Sequence, residues 1–309
     1  MGGESMSVFE FFEMVPSEEA AIEIVERRRW PDVVTCPHCG SEDTTPHPKN
    51  KRHRCNQPGC RKWFSVRTDS IFQNSQVPMR KWLFAIYLWQ TARKGMSSVQ
   101  LAKEIGVTQK TAWFMLHRLR EACDIVPQQL DGTVEVDETY VGGKEKNKHF
   151  HKRHHAGGGT TGKAPIMGMR EREGRLTLKS IDKTDTSTMD GAIRDNIKKG
   201  AIVYTDEHSS YRFLNDQYHH ESVRHGQGQY VKGDAHTNGI ESVWSVVKRG
   251  YVGVHHFWSF KHMRRYVNDY EFRFNEGNNQ IHVWARIISI LDNSTGKRLS
   301  YQELISDQT

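Results

Sequence analysis

Acidic residues recur in three separated stretches, TVEVDETYVGG (133–143), AIVYTDEHSSY (201–211) and HTNGIESVWSVVKRGY (236–251). The first holds Glu135, Asp137 and Glu138, the second leads to Asp206, and the third carries Glu241, with 34 residues between Asp206 and Glu241. Carboxylates drawn from separate elements suit hard divalent cations. Mg²⁺ prefers oxygen donors and takes only a few from protein, which leaves positions for water and phosphate. Two such ions about 4 Å apart activate a nucleophile and stabilise the leaving oxygen of a phosphodiester. Taken singly, each acid reads as readily as an ordinary strand-end or surface carboxylate. The constellation, with Lys248 seven residues past Glu241, is what points to phosphoryl chemistry.

A second set of metal donors lies near the front. Cys36-x2-Cys39 and Cys55-x4-Cys60 flank a polar, turn-rich segment of 15 residues. Two thiolate pairs on tight turns close a tetrahedron around Zn²⁺, and so small a segment depends on the metal to fold. Four of the five cysteines fall in this segment, which favours metal over disulfides in a reducing compartment. His38 and His53 are spare donors, but a site of four cysteines is simpler. Lys49, Lys51, Arg52, Arg54, Arg61 and Lys62 make the segment basic. Contact with DNA, contact with protein and a purely structural role all remain open for it.

The elements that must position these groups follow from periodicity. Residues 17–30 read as a helix capped by Ser17, and 79–95 as a strongly apolar helix. In 97–123, Ser97 or Ser98 caps a helix through Ile105, Gly106-Val107 turns, and Thr108 caps a second helix. That is a helix-turn-helix pattern. Its second helix would enter the major groove by its first turns, with Gln109, Lys110 and Trp113 outward and His117 and Arg120 further along. Strands are expected over 133–141, in a hairpin of 164–171 and 175–181, over 201–205 and near 222–225, and helices over 185–199, 209–215, 260–274 and 283–291. In 133–141, Glu135 and Asp137 share one side and Val134 and Val136 the other. In 236–251, Asn238, Glu241, Ser245 and Lys248 fall on one helical face, with Ile240, Val243, Val247 and Trp244 opposite. Glu271 is a rival third acid. The basic, glycine-rich loop 144–163 holds a P-loop decoy, Gly157-x4-Gly162-Lys163, that lacks the Ser or Thr, the preceding strand and the following helix. Its histidines 149, 151, 154 and 155 read as a solvated loop near phosphates. Periodicity alone says mixed α/β.

The stretches VDETYVGG, VYTDEHSSY, HTNGIESVWSVVKRG and FKHMRRYVNDYEFRFN resemble the DDE transposases of bacterial insertion sequences, the group with an N-terminal zinc ribbon and a ribonuclease H-like catalytic domain. The resemblance runs from the front cysteines to about Asn275. It implies Asp137, Asp206 and Glu241 as the metal-binding triad, and so selects Asp137 over Glu135 and Glu138, which spacing leaves open. In some relatives an asparagine is the third member, so Asn238 is the alternative to Glu241. The 34-residue interval, typical of the wider DDE group, favours Glu241. Lys248 would pair with a phosphate. The fold class implied is multidomain α+β / α/β. Its parts are an N-terminal helix plus zinc ribbon (1–70), a helix-turn-helix domain (71–126), a ribonuclease H-like mixed-sheet domain (133–277) and a C-terminal helical tail (278–309). The implied cofactors are Mg²⁺ or Mn²⁺ at the acids and Zn²⁺ in the ribbon. The implied partners are double-stranded DNA, both terminal inverted repeats and target, and a homodimer or larger assembly that holds two ends. The expected reaction is metal-dependent hydrolysis at the element ends followed by joining of the 3′-hydroxyls to target. A catalytically inactive DNA-binding regulator and a nuclease that cuts without joining are the competing expectations.

Composition is compatible with this. A net charge of +7 and a pI near 9.1 fit a polyanionic partner. With 309 residues, eight Trp and thirteen Phe, the chain can build two or three cores. No apolar run reaches the length of a membrane span and no signal-peptide pattern precedes Ser17, so the expected location is the cytoplasm, at the nucleoid.

Overall fold

The computed structural model describes residues 5–125, 128–143, 149, 151, 159–172, 174–206, 211, 214, 216–222, 237–278 and 280–306. In chain order the elements are α1 (Val8–Met14), α2 (Glu18–Arg29), β1 (Thr44–Pro46), β2 (His53–Cys55), β3 (Trp63–Phe64), α3 (Met79–Thr91), α4 (Ser98–Ile105) and α5 (Gln109–Ala122). Then come β4 (Thr133–Val141), β5 (Ala164–Glu171), β6 (Leu176–Ser180), α6 (Thr186–Asn196), β7 (Ile202–Thr205), β8 (His219–Ser222), α7 (Asn238–Gly250), α8 (Met263–Phe274), α9 (Val283–Asp292) and α10 (Tyr301–Ile305). The chain forms two compact units, Met1–Ile125 with Glu276–Thr309, and Val126–Asn275.

In the first unit, Ser17 caps α2 by accepting from the Ala20 N–H. β1, β2 and β3 form an antiparallel sheet, with Cys55 at the end of β2. The apolar sequence of α3 buries Trp82, Leu83, Ile86 and Trp89. Pro78 gives α3 no side-chain cap. The Glu18 carboxylate replaces it, accepting from the Met79 and Arg80 N–H groups at 2.7 and 2.8 Å. That helix ends at Thr91, short of the expected residue 95. α4 and α5 are joined through Gly106, whose φ of 62° is the left-handed conformation that ends a helix. Thr108 caps α5.

The residues after 276 are not a separate tail. Arg286 donates to the Gln90 carbonyl at 2.9 Å, Ile71 N–H to the Ser294 carbonyl at 3.0 Å, and Arg118 to the Leu299 carbonyl at 3.1 Å. The apolar side of α9 buries Val283, Ile287, Ile290 and Leu291 within the first unit. Burial overturns one expectation. His117 and Arg120 are 0% and 1% exposed, so α5 does not present them to solvent. Gln109 and Lys110 are exposed and Trp113 is half-buried.

The second unit is a five-stranded sheet in the order β6-β5-β4-β7-β8. β4, β5 and β6 run antiparallel in sequence, while β7 lies parallel to β4 and β8 parallel to β7. Alternation sorts the two faces. Val134, Val136, Met167, Met169 and Val203 pack with Met189 and Ile193 of α6. Val141, Ile166, Leu176 and Leu178 pack with Ile240, Val243, Trp244 and Val247 of α7 and with Tyr266 and Tyr270 of α8. Glu271 accepts from the Leu178 N–H at 2.9 Å, so it serves the edge strand β6. The last strand lies at 219–222, ahead of the expected 222–225. Most of loop 144–163, with His154 and His155, and most of the helix expected over 209–215 lie outside the described residues, as do residues 223–236. Among the described residues, no helix is long and apolar enough to cross a membrane.

Candidate active site and metal centre

Asp137 and Asp206 reach the same end of the sheet because β4 and β7 are adjacent and parallel. Their register pairs Glu135 with Tyr204. Two residues further along β4 stands Asp137, on the face that α7 covers, and Asp206 directly follows the last residue of β7. The proximity shows in the electrostatics: burial pushes the Asp137 carboxyl up to about 6, and the negative charges of Glu138 and Asp206 add to the rise. The Trp244 indole N–H, donating to Asp137 Oδ2 at 2.8 Å, opposes it. A carboxyl raised by burial, with neighbouring acids adding to the rise, is one that a cation would stabilise in its charged form.

Helix α7 lies across these acids for identifiable reasons. Thr237 gives no side-chain cap. Glu135, 2% exposed, reaches up from β4 and accepts from the Ile240 N–H at 2.9 Å while Arg172 stands 3.4 Å from its other oxygen. Arg170 donates to the Gly239 carbonyl at 2.6 Å and to Ser242 Oγ at 3.0 Å. Two glycines permit the approach. A Cβ at Gly239 would stand 2.5 Å from Glu135 Oε2, and one at Gly168 would stand 2.7 Å from Ile240 Cδ1 and from the Trp244 ring. Gly168 sits directly opposite Asp137 in the β4–β5 ladder, so its missing side chain is what lets Trp244 reach that acid. An isolated glycine in a strand pattern is a sequence signal for such an approach. Gly168→Ala is expected to displace α7, cut activity about a hundredfold and cost about 1–3 kcal/mol. Activity and thermal melting of the purified variant check this; an unchanged rate would show that the α7 contact does not position the acids.

The three acids of the first strand are thereby distinguished. Glu135 is committed to the start of α7. Glu138 points to the other face and accepts from the Tyr211 hydroxyl at 2.6 Å. Burial and the acids Glu138, Asp206 and Asp137 push that phenol well above its ordinary value. Asp137 has one oxygen on Trp244 and feels the charge of Asp206. Glu241 is exposed in the first turn of α7, where Thr237 Oγ1 donates to its Oε1 at 3.3 Å. Asn238 and Lys248 are exposed on the same helix, so packing does not separate Asn238 from Glu241.

The carboxylates of Asp137, Asp206 and Glu241 do not all lie within 4.8 Å of one another. A two-ion site, with ions about 4 Å apart and ligands at about 2.1 Å, needs outer oxygen donors no more than roughly 8 Å apart. All-oxygen donors suit Mg²⁺ or Mn²⁺.

The cysteine cluster is tighter. The Sγ atoms of Cys36, Cys39, Cys55 and Cys60 all lie within 4.8 Å, with 3.8 Å between Cys36 and Cys60 and 3.6 Å between Cys39 and Cys55. Four sulfurs about 2.3 Å from a tetrahedral Zn²⁺ stand about 3.8 Å apart, so the cluster fits that ion. His53 is not a donor to it. Its Nε2 lies 2.6 Å from Glu26 Oε1, and its ring stacks on Phe64 at 5.5 Å.

Similarity to known proteins gives the family. Residues 129–275 match the ISXO2-like transposase domain and residues 16–63 the transposase zinc-ribbon domain. An uncharacterized protein in transposable element ISH50 of Halobacterium salinarum is 30% identical over 271 residues, covering 83% of this chain and 90% of that protein. The chain belongs to the ISXO2-like transposases. An uncharacterized transposase-like protein of Haemophilus influenzae is 27% identical over 116 residues, covering 35% of the transposase described here and 89% of its own length. The zinc-ribbon match encloses all four cysteines of this transposase, so the N-terminal cluster is its zinc site.

Proposed function

We propose that this transposase cuts DNA at the ends of its element and joins the freed ends to target DNA, with Asp137, Asp206 and Glu241 holding the divalent cations. The observation that carries the reading is that the adjacent parallel strands β4 and β7 lead to Asp137 and Asp206 at one end of the sheet, with Asp137 bonded to the helix that bears Glu241. The strand order and directions support a ribonuclease H-like assignment for the domain.

In the first step the oxygen of water forms a bond to phosphorus, the bond from phosphorus to the 3′-oxygen breaks, and that oxygen leaves as a 3′-hydroxyl. In the second, the same hydroxyl loses its proton, attacks a target phosphorus and displaces a target 3′-oxygen. Bound Mg²⁺ or Mn²⁺ supplies stabilisation of the charge that develops on the phosphoryl oxygens. The protein's part is positional. Trp244 orients Asp137 through one oxygen, and Glu135 and Arg170 hold the start of α7 and with it Glu241. Lys248 lies seven residues on, about 10 Å along the helix axis, where its point charge can meet a flanking phosphate. Zn²⁺ serves folding of the ribbon. For end recognition, α4 and α5 act as a helix-turn-helix whose exposed Gln109 and Lys110, with the half-buried Trp113, approach the major groove; His117 and Arg120 take no part. Two ends require two copies of the protein.

The test is incubation of the full-length protein with a labelled element end, a supercoiled target and Mg²⁺ or Mn²⁺. Cleavage to a 3′-hydroxyl followed by covalent joining is expected. Retarded but uncut DNA would replace the reading with a regulator, and cutting without joining would replace it with a nuclease. Since Asp137 must lose its proton to bind a cation, Mg²⁺ affinity is expected to weaken about tenfold per pH unit below about 6. Calorimetric titration from pH 5 to 8 measures this, and a flat profile would remove Asp137 from the ligands.

A further inference from the structure

Helix α7 does not stop at Gly250. It passes into a π-helical turn, Tyr251–His255, and His256 then takes a left-handed conformation at φ 60° and ψ −29°. For a non-glycine residue that conformation persists only where the surroundings enforce it, and both it and π-turns concentrate at functional sites. Here it presents apolar side chains to solvent. Phe257 and Phe260 are 65% and 63% exposed, and Val252 is exposed beside them. The segment is anchored, since Trp258 between the two phenylalanines is buried, stacks on Tyr266 at 4.8 Å and 12°, and meets Tyr251 edge-on at 5.4 Å. Among the described residues, Trp258 Nε1 and Ser259 Oγ are buried without a hydrogen-bond partner.

The stretch of chain that carries these rings is basic. Between Glu241 and Asp269 the sequence contains five Lys or Arg, three His and no acid. Two exposed rings in an acid-free, basic stretch of chain match a polyanion with π faces. Phenylalanine has no donor or acceptor, so it cannot read base edges, but it stacks on any unpaired base. Val252 lies 11 residues past Glu241, about 16 Å along the helix, or about five base steps.

We propose that Phe257 and Phe260 are a base-stacking wedge that grips unpaired nucleotides of the DNA strand within a few base steps of the cleavage position. The position of the wedge rests on the DNA-cleavage reading above; the stacking itself does not. A second copy of the chain is the alternative occupant of these rings.

The test uses the full-length protein, Phe257→Ala, Phe260→Ala and the double variant, with two substrates: a paired element end and the same end with mismatched flanking bases. Each single variant is expected to cut the paired end about tenfold more slowly and the mismatched end at near the wild-type rate. With 2-aminopurine in the flank and no divalent metal, the wild type is expected to raise the fluorescence and the double variant not to. The proposal is overturned if the variants cut the paired end as fast as wild type, if mismatches give no rescue, if wild type leaves the fluorescence unchanged, or if sedimentation shows that the variants lose self-association. If wild type cuts nothing yet raises the fluorescence through these rings, the stacking stands and the hydrolysis reading falls.

Discussion

Replacing Asp137 or Asp206 by asparagine is expected to lower DNA cleavage by about a thousandfold or more while leaving end binding intact. The amide keeps the shape and can still accept the Trp244 N–H, but it removes the charge that faces a cation. Asp137→Asn carries a second signature that separates lost chemistry from a damaged fold. The wild-type carboxyl sits at about 6 in the folded protein against about 3.9 when unfolded, so the folded state holds its proton more tightly. The stabilisation this gives is complete below about pH 4 and is lost as pH rises through about 6. Without divalent metal, the ionised group therefore costs the fold up to about 3 kcal/mol above pH 6. The asparagine variant is expected to melt higher than wild type at pH 8 without metal, and no higher at pH 4. A variant that keeps full cleavage would remove the residue from the metal-binding set, and one that melts lower at pH 8 would show that its phenotype comes from the fold.

Loss of zinc is the other large effect. Structural zinc in small cysteine sites carries about 10–16 kcal/mol of folding free energy. The ribbon has little else, its apolar centre being Trp30, His53 and Phe64 with ring separations of 5.5–5.9 Å. Chelation, or Cys55→Ser, is expected to release one zinc per chain and expose the ribbon to proteolysis. His53→Ala is expected to keep the zinc, since that ring is engaged with Glu26 and Phe64. Zinc retained by Cys55→Ser, or lost from His53→Ala, would rule out the four-cysteine site.

His117 and Arg120 show where periodicity misleads. Helical spacing puts them on the side of α5 that begins with Gln109 and Lys110, which are exposed as expected. Nothing local signals that the second half of the helix is buried, or that Arg118 between them reaches the carbonyl of Leu299, about 180 positions later. Glu135 shows the same limit from the other side. It shares a strand face with Asp137 and an identical local pattern, yet one caps α7 and the other accepts from the Trp244 indole. Gly168 was readable in principle, as a lone glycine inside an apolar strand, but its purpose depends on a helix 70 residues away.

Features set by neighbours along the chain were legible before any folding was considered. The cysteine spacing, the strand that delivers Asp137, the strand that leads to Asp206 and the two-faced helix of Glu241 all arise from local periodicity and side-chain chemistry. Which acid caps a helix, which basic residues stay in solvent and which glycine admits an indole were settled by packing. Burial, dielectric and hydrogen-bond supply at each of those positions come from residues distant in sequence, and no local pattern encodes them.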